Sequence, residues 1–282
     1  MTDGTSKYLD FTQKPDFEQI LTNPILDIAA RFWDDDRYAA FKVCYRSMRV
    51  IDDLVDDRKS AGRRISEAER SQLSRSIETW VTGLNENRPA DSFQKQLLDT
   101  ITDFRIPLWP WQRLARAMLY DLNNDGFATL TAFLRYAEGA AIAPASVFMH
   151  LCGVRGDNRK IVAPDFNIRA AARHLALFSY TVHIMRDLQK DQAAGLNYFA
   201  ADFLKRHGLT ERDLRKQAVS GTVSAELRNL IGDYCRIAQY YQSRARRAVD
   251  AALTRMEPRY QLSLQIIYNL YSQIFERINP QS

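Results

Sequence analysis

Two short stretches of the chain gather carboxylates at helical spacing. Ile51-Asp-Asp-Leu-Val-Asp-Asp57 holds the pairs Asp52/Asp56 and Asp53/Asp57, and Arg186-Asp-Leu-Gln-Lys-Asp191 holds Asp187/Asp191. In a helix, residues four apart stand on one face, one turn apart. Two like charges there repel, and a divalent cation reverses the sign of that interaction. Magnesium takes carboxylate oxygens, keeps several of its waters and bridges readily to substrate phosphates. Two such pairs on facing helices would make a metal-lined mouth at one end of a helix bundle.

Spacing alone is a cheap signal. Asp121/Asp125 has it too and reads as a helix end, while Asp34–Asp36 reads as a cap and solvated turn. The two motifs differ in their surroundings. Asp52 and Asp56 are flanked by Val43, Met48, Val50, Ile51, Leu54 and Val55. Tyr45, Arg49, Asp52 and Asp56 fall at offsets 0, 4, 7 and 11, one continuous face. Ala176, Tyr180, His183, Asp187 and Asp191 step by 4, 3, 4 and 4 in the same manner. A polar stripe on an otherwise apolar helix is costly to bury without partners. A cavity holding metal and anion would satisfy it, with Arg49, Arg186 and Lys190 neutralising the anion.

The elements that carry these faces read as helices. The chain has 282 residues, 46% hydrophobic and 26% charged, with only 11 Gly and 9 Pro. That composition suits a globular helical protein and excludes disordered, collagenous and disulfide-scaffold classes. The pattern predicts helices over Ile25–Trp33, Arg37–Asp57, Ser66 to about Leu84, Asp91–Phe104, Trp111–Asn123 and Leu130–Leu151. It continues with one long helix over Asn167–Asp191, short ones over Asp202–Arg206 and Glu211–Val219, and two closing helices, Ser224–Met256 and Pro258–Ile278. Ser66-Glu-Ala-Glu69 reads as a capping box. Glu138, inside the apolar run, reads as a helix-end or hydrogen-bonded structural residue. No linker or repeat divides the chain, so the expectation is one all-α domain over 1–282 with its core at about 25–278.

Charge and cysteine usage narrow the partners. The net charge of +5 is spread along the chain without a basic block, which argues against nucleic acid. Met1–Lys14 does not read as a signal peptide, and no run is long and apolar enough to span a membrane. Cys44, Cys152 and Cys235 lie far apart and read as buried, reduced thiols of a cytoplasmic protein.

The stretch Tyr45–Asp57 resembles the first aspartate-rich motif of the squalene/phytoene synthase family, and Met185–Phe199 resembles its second. Phe104–Pro107, Asp121-Leu122, Tyr136, Asp202–Leu204, Gly208–Thr210 and Tyr271–Ile278 extend the match, so that it runs roughly from Ile25 to Ile278. The resemblance implies an all-α, single-domain isoprenoid synthase helical bundle with a central apolar cavity. It implies head-to-head condensation of two prenyl diphosphates, farnesyl or geranylgeranyl diphosphate, through a cyclopropyl intermediate. Asp52, Asp56, Asp187 and Asp191 would hold Mg²⁺, with Mn²⁺ an alternative. Tyr45, Arg49 and Arg186 would contact diphosphate with Tyr180, His183 and Lys190 beside them, and Tyr198 would sit near the reacting end.

Some positions depart from the family. Tyr180 and His183 stand where many members carry Gln and Asn, Leu196 where Arg is usual, and Ala200 where Pro is usual. Ala141–Ala145 replaces a glycine-containing small-residue motif, and Thr22–Pro24 replaces a Ser-rich segment. His183 reads equally as a hydrogen-bonded core histidine. Ionisation of a single prenyl diphosphate, by a terpene cyclase or diphosphate lyase, is therefore the alternative, with a non-catalytic lipid-binding or assembly relative behind it. The use of NADPH, the prenyl chain length, the oligomeric state and a peripheral membrane contact for product release are left open by these residues.

Overall fold

The computed structural model describes residues 25–60, 65–156 and 161–280, apart from the side chains of residues 57 and 60. The Asp57 carboxylate and Thr22–Pro24 therefore lie outside the described residues. Helices α1 (Ile25–Ala30), α2 (Asp35–Ser60), α3 (Glu67–Asn85), α4 (Ser92–Asp103), α5 (Trp109–Asn123) and α6 (Leu130–Ala137) form the first half. A π-helical turn, Glu138–Ile142, leads into α7 (Ala143–Gly153). The second half comprises α8 (Ile168–Arg186), α9 (Leu188–Ala193), α10 (Ala201–Arg206), α11 (Glu211–Ser220), α12 (Ala225–Leu253) and α13 (Pro258–Glu276).

Local chemistry sets most of the boundaries. Ser66 and Glu69 form the expected capping box, and Thr210 with Asp213 forms a second. Asp91, Thr129, Asn167 and Ser224 each accept a backbone N–H from the first turn of the helix that they open. Pro110, Pro144 and Pro258 sit in first turns, where a missing N–H costs nothing.

Helix α8 is the central element. It packs most extensively on α12 and also meets α7, α13 and the π turn. Leu175–Phe178, Val182, Ile184 and Met185 are buried along it. Helix α2 lies against α4, α5 and α7. The buried Trp111 indole donates to Ser47 Oγ at 2.9 Å, and Ser47 donates to the Cys44 carbonyl at 2.6 Å. That chain pins α5 to the middle of α2, just before the first motif. At the other end, Arg37 is 3% exposed and donates to the Leu151 carbonyl at 3.0 Å while stacking on Tyr260. Asp34 caps α2 by accepting the Arg37 N–H at 2.9 Å, as expected, but it also accepts the Tyr260 hydroxyl at 2.5 Å and is not a free solvated residue.

Two expected helices are interrupted. The run Leu130–Leu151 is continuous in sequence pattern, yet it widens into the π turn just before Pro144. Proline in a helix removes an i to i−4 bond and crowds the carbonyl four residues back, and a π turn relieves both. Glu138 is held there by Arg169, at 3.1 and 2.6 Å, and by Arg173, the structural role expected of it. The run Asn167–Asp191 breaks at Asp187, whose φ of −93° and ψ of 9° fall outside helical geometry. The i to i−4 bonds on either side survive: Asp187 N to His183 O at 2.9 Å, and Asp191 N to Asp187 O at 2.8 Å.

The π turn lies directly on α5. A Cβ at Gly139 would fall onto the Arg113 carbonyl oxygen and within 2.6 Å of the Ala117 Cβ. Both neighbours are helical backbone or the Cβ next to it, so neither can yield cheaply. Gly139→Ala should therefore cost about 1–3 kcal/mol or more. It should appear as a lower urea midpoint at unchanged slope; an unchanged midpoint would mean that the turn and α5 are not in contact.

Candidate active site

The stripe on α2 survives folding. Arg49 donates to Asp52 at 2.5 Å and also bonds Asp53. Burial, then the neighbouring Asp56, pushes the Asp52 carboxyl up to about 7, with Arg49 opposing. Burial and the charge of Asp121 push Asp56 up to about 6. Tyr45 is half-buried at the start of the stripe, its hydroxyl pushed up by burial and opposed by Arg49.

The second motif straddles the break between α8 and α9. Arg186 grips Asp187 through two bonds, 2.6 and 2.9 Å, and His183 Nε2 lies 2.8 Å from the same carboxylate. Burial acts to raise Asp187, but the hydrogen bonds from Arg186 and His183 prevail and hold it well below the usual carboxylate range. His183 is thus no core histidine: its side chain is 45% exposed and committed to a motif carboxylate. Asp191 behaves oppositely. Burial and Asp187 push it up to about 6 against the opposing charge of exposed Lys190, and Asp56 of the first motif adds to the rise. The two motifs thus lie close enough at one end of the bundle for their carboxylates to repel one another.

A wall of aromatic rings adjoins the carboxylates. Tyr180 stacks on Phe133 with centroids 5.5 Å apart and meets Tyr198 edge-on at 6.3 Å. Tyr198 stacks on Phe127, which also touches Tyr136 at 5.0 Å. The loop that presents Tyr198 is tied down by Leu196 N to Asp191 O at 2.8 Å and by Ala200 N to the Tyr234 hydroxyl at 2.8 Å. Burial holds the Tyr180 and Tyr198 hydroxyls protonated, well above their ordinary range. Tyr271 of α13 closes the other flank, pushed up to about 12 by burial, with Arg186 opposing.

Three residues join the site without a role that sequence pattern assigns them. Asp121, which reads there as a helix end, is 7% exposed, accepts the Tyr136 hydroxyl at 2.6 Å and pairs with Lys59 at 3.1 Å. Tyr136 is itself buried, at 6% exposed. Lys59 carries a visible signal: it extends the α2 stripe to offset 14 from Tyr45.

The donor set fits a hard divalent cation. Among the described residues, Asp52 is paired with Arg49, Asp121 with Lys59 and Asp187 with Arg186, whereas Asp56 and Asp191 have no ion-pair partner. Their ligand atoms are all carboxylate oxygens, and burial with mutual repulsion makes a counter-ion favourable. No three acidic, His or Cys side chains among the described residues converge to hold an ion by themselves. Magnesium does not require that, since it uses one or two carboxylates and completes its shell with water and substrate phosphate.

The shifts fix a pH dependence. Asp52, Asp56 and Asp191 keep a proton in the folded protein where the unfolded chain, near about 3.9, has lost it. Their contribution to stability is full below that value and is lost as pH rises through about 6 to about 7. Asp187 works the other way, stabilising above the unfolded value and losing that contribution as pH falls towards its own lower one. Metal-free protein should therefore melt at progressively lower temperature from about pH 4 to about pH 7 and level off above that. Asp52→Asn and Asp191→Asn should each flatten that slope, and so should saturating Mg²⁺. Melting curves in chelator and in Mg²⁺ across this range test the point; a slope indifferent to both substitutions and to metal would refute it.

Comparison with known proteins gives the family and the fold. A sequence model of the squalene/phytoene synthase family matches residues 28–281. The chain is similar to phytoene synthase 2 of Zea mays, at 27% identity over 186 residues, covering 66% of this chain and 44% of that protein. It is similar to a phytoene synthase of an Oncidium hybrid at 24% over 243 residues, covering 86% and 55% respectively. It thus spans about half the length of the curated relatives that it matches. Among solved structures it resembles a squalene synthase from Alicyclobacillus acidocaldarius, with a TM-score of 0.63 and 18% identity, covering 90% of this chain and 98% of that one. It also resembles a dehydrosqualene synthase solved with ligand, with a TM-score of 0.68 and 16% identity, covering 91% and 82%. The all-α isoprenoid synthase fold is common to all three, and with its family match over nearly the whole described structure this chain belongs to the squalene/phytoene synthase family.

Proposed function

We propose that this protein is a Mg²⁺-dependent prenyltransferase that joins two prenyl diphosphates head to head. The observation that carries the reading is the pair Asp56 and Asp191: two carboxylates from the two motifs, without counter-ions among the described residues, coupled to each other beside an aromatic wall. When bound, the metal supplies positive charge to the diphosphates and stabilises them as leaving groups. Asp52, Asp56, Asp187 and Asp191 are the residues that would hold it.

The remaining work falls to the chain's own side chains. Arg49, Arg186 and Lys190 present guanidinium and ammonium donors to diphosphate oxygens. His183 orients Asp187. Each ionisation breaks one C–O bond, and the electron pair leaves with diphosphate. The allylic cation left behind is shielded by Tyr180, Tyr198, Phe127 and Phe133, whose rings exclude water and turn negative faces towards positive charge. The double bond of the second substrate then supplies the electrons of the new C–C bond, and the carbocation that this leaves on the second substrate closes the cyclopropyl ring as an adjacent C–H gives its bonding pair to the ring and its proton to the released diphosphate. Tyr45, beside Arg49 on the α2 stripe, and Tyr198, in the aromatic wall, are the tyrosines that this reading assigns to the reaction.

A second reading, ionisation of one prenyl diphosphate alone, rests on the bulk of Tyr180. Its stack on Phe133 and edge contact with Tyr198 build a wall suited to a single folded chain. Three unpaired, buried thiols suit a reducing, cytoplasmic setting. No helix among the described residues is long and apolar enough to cross a membrane. A water-insoluble product and a net charge of +5 make an anionic membrane surface the proposed place of release, tested by liposome co-sedimentation at low salt.

The deciding experiment incubates pure protein with Mg²⁺ and farnesyl or geranylgeranyl diphosphate, with and without NADPH, and analyses extracts by mass spectrometry. A C30 or C40 product is expected, abolished by chelator and lowered about 100-fold or more in Asp52→Ala and Asp187→Ala. The response to NADPH shows whether the cyclopropyl intermediate is reduced. A C15 or C20 hydrocarbon or alcohol would establish the single-substrate reading instead. Folded protein without turnover of either substrate would leave the non-catalytic one.

A further inference from the structure

The Lys59–Asp121–Tyr136 chain is buried, charged and unused by the proposed prenyl transfer. Lys59 Nζ donates to Asp121 Oδ1 at 3.1 Å and to the Asn124 carbonyl at 3.2 Å. Tyr136 donates its hydroxyl proton to Asp121 Oδ2 at 2.6 Å. The side chains of Lys59 and Asp121 are only 15% and 8% exposed. Both Asp121 oxygens are therefore occupied, one by a cation and one by a hydroxyl. Tyr136 also packs its ring on Phe127, at 5.0 Å between centroids, and Phe127 stacks on Tyr198 of the aromatic wall.

Three helices meet in this chain: Lys59 from the last turn of α2, Asp121 from the end of α5 and Tyr136 from the end of α6. Asp121 faces Asp52 and Asp56 closely enough to raise both. It is a fifth carboxylate at the acidic end, but unlike Asp56 and Asp191 it arrives with its own cation. A metal that bound Asp121 would have to displace an ammonium and a hydroxyl; a metal that binds Asp56 or Asp191 displaces neither.

We propose that Lys59 and Asp121 are positioning residues, a built-in ion pair that fixes the Tyr136 hydroxyl, and through its ring Phe127 and Tyr198, against the reacting end, and that Asp121 stays outside the metal-binding set. The inference rests on the proposed prenyl transfer for its kinetic part alone. Lys59 supplies as a fixed charge what Mg²⁺ would supply to the other carboxylates. Tyr136 then has its proton directed at Asp121 and its lone pairs turned away from it.

The test uses Lys59→Met, Asp121→Asn and the double variant. Each single change leaves one buried charge without its partner and should lower the melting temperature; the double change removes both charges and should largely restore it. If the pair positions Tyr136, the double variant stays about 10- to 100-fold down in kcat with KM nearly unchanged, despite its recovered stability. Recovery of both stability and kcat would show a merely structural pair and overturn the proposal. The metal part is read without turnover, from the Mg²⁺ concentration at which inorganic diphosphate half-maximally raises the melting temperature. Asp121→Asn should leave that concentration within about twofold of wild type, whereas Asp56→Asn should raise it about tenfold or more. An equal rise in both variants would make Asp121 a metal ligand. Wild-type protein that is stabilised by Mg²⁺ and diphosphate but turns over no prenyl diphosphate would fail the proposed function, and the metal comparison would still stand on its own.

Discussion

The structure depends on holding like charges together. Asp52, Asp56, Asp121, Asp187 and Asp191 come from α2, α5 and the junction of α8 with α9, and they meet at one end of the bundle, half-buried or deeper. On a flexible surface such groups would splay apart. Here they cannot, because α2, α5 and α8 are fixed by packing that has nothing to do with the charges: Trp111 against Ser47, Arg37 beneath Tyr260, and the long contact of α8 with α12. The repulsion remains as raised proton affinity at Asp52, Asp56 and Asp191. Stored in this way, it becomes affinity for whatever positive charge the end can admit.

Compensation is unequal, and the inequality is what gives the end a direction. Asp187 is over-provided, with a guanidinium and an imidazole on one carboxylate. Asp121 is provided once, by Lys59. Asp56 and Asp191 have no partner among the described residues. Positive charge is thus fixed at the margins, on Arg49, Lys59 and Arg186, and wanted at the centre. An anion carrying a divalent cation would meet both needs at once. The aromatic wall adjoins the charges, so polar and apolar surroundings meet at this end of the bundle.

Much of this could be read from the chain itself, for a physical reason. Helix starts at Ser66, Asp91, Thr210 and Ser224 are written in side-chain to backbone bonds that span three residues, so local pattern suffices to find them. The stripes on α2 and α8 are likewise a matter of periodicity. What escaped depends on contacts between distant segments. Asp121 reads as a helix end because the residues that define it, Tyr136 and Lys59, lie 15 and 62 positions away. The break at Asp187 does not show in the apolar pattern, which runs on through it. The π turn follows from Pro144 together with the close approach of Gly139 to α5, and only the proline is visible in sequence.

That turn also sets a phase. An α-helix advances about 100° per residue, and a π turn absorbs one residue beyond the α-helical count. Side chains of α6 are therefore rotated relative to α7 by about that angle compared with an uninterrupted helix. Tyr136 lies just before the turn and the fully buried face of α7 just after it. Loss of a single residue between Glu138 and Ile142 would restore regular winding, yet with α7 anchored it would swing Tyr136 about a quarter of a circle off Asp121. The irregular turn thus acts as a clocking element, through which insertion or deletion of one residue would re-aim the hydroxyl while leaving every helix intact.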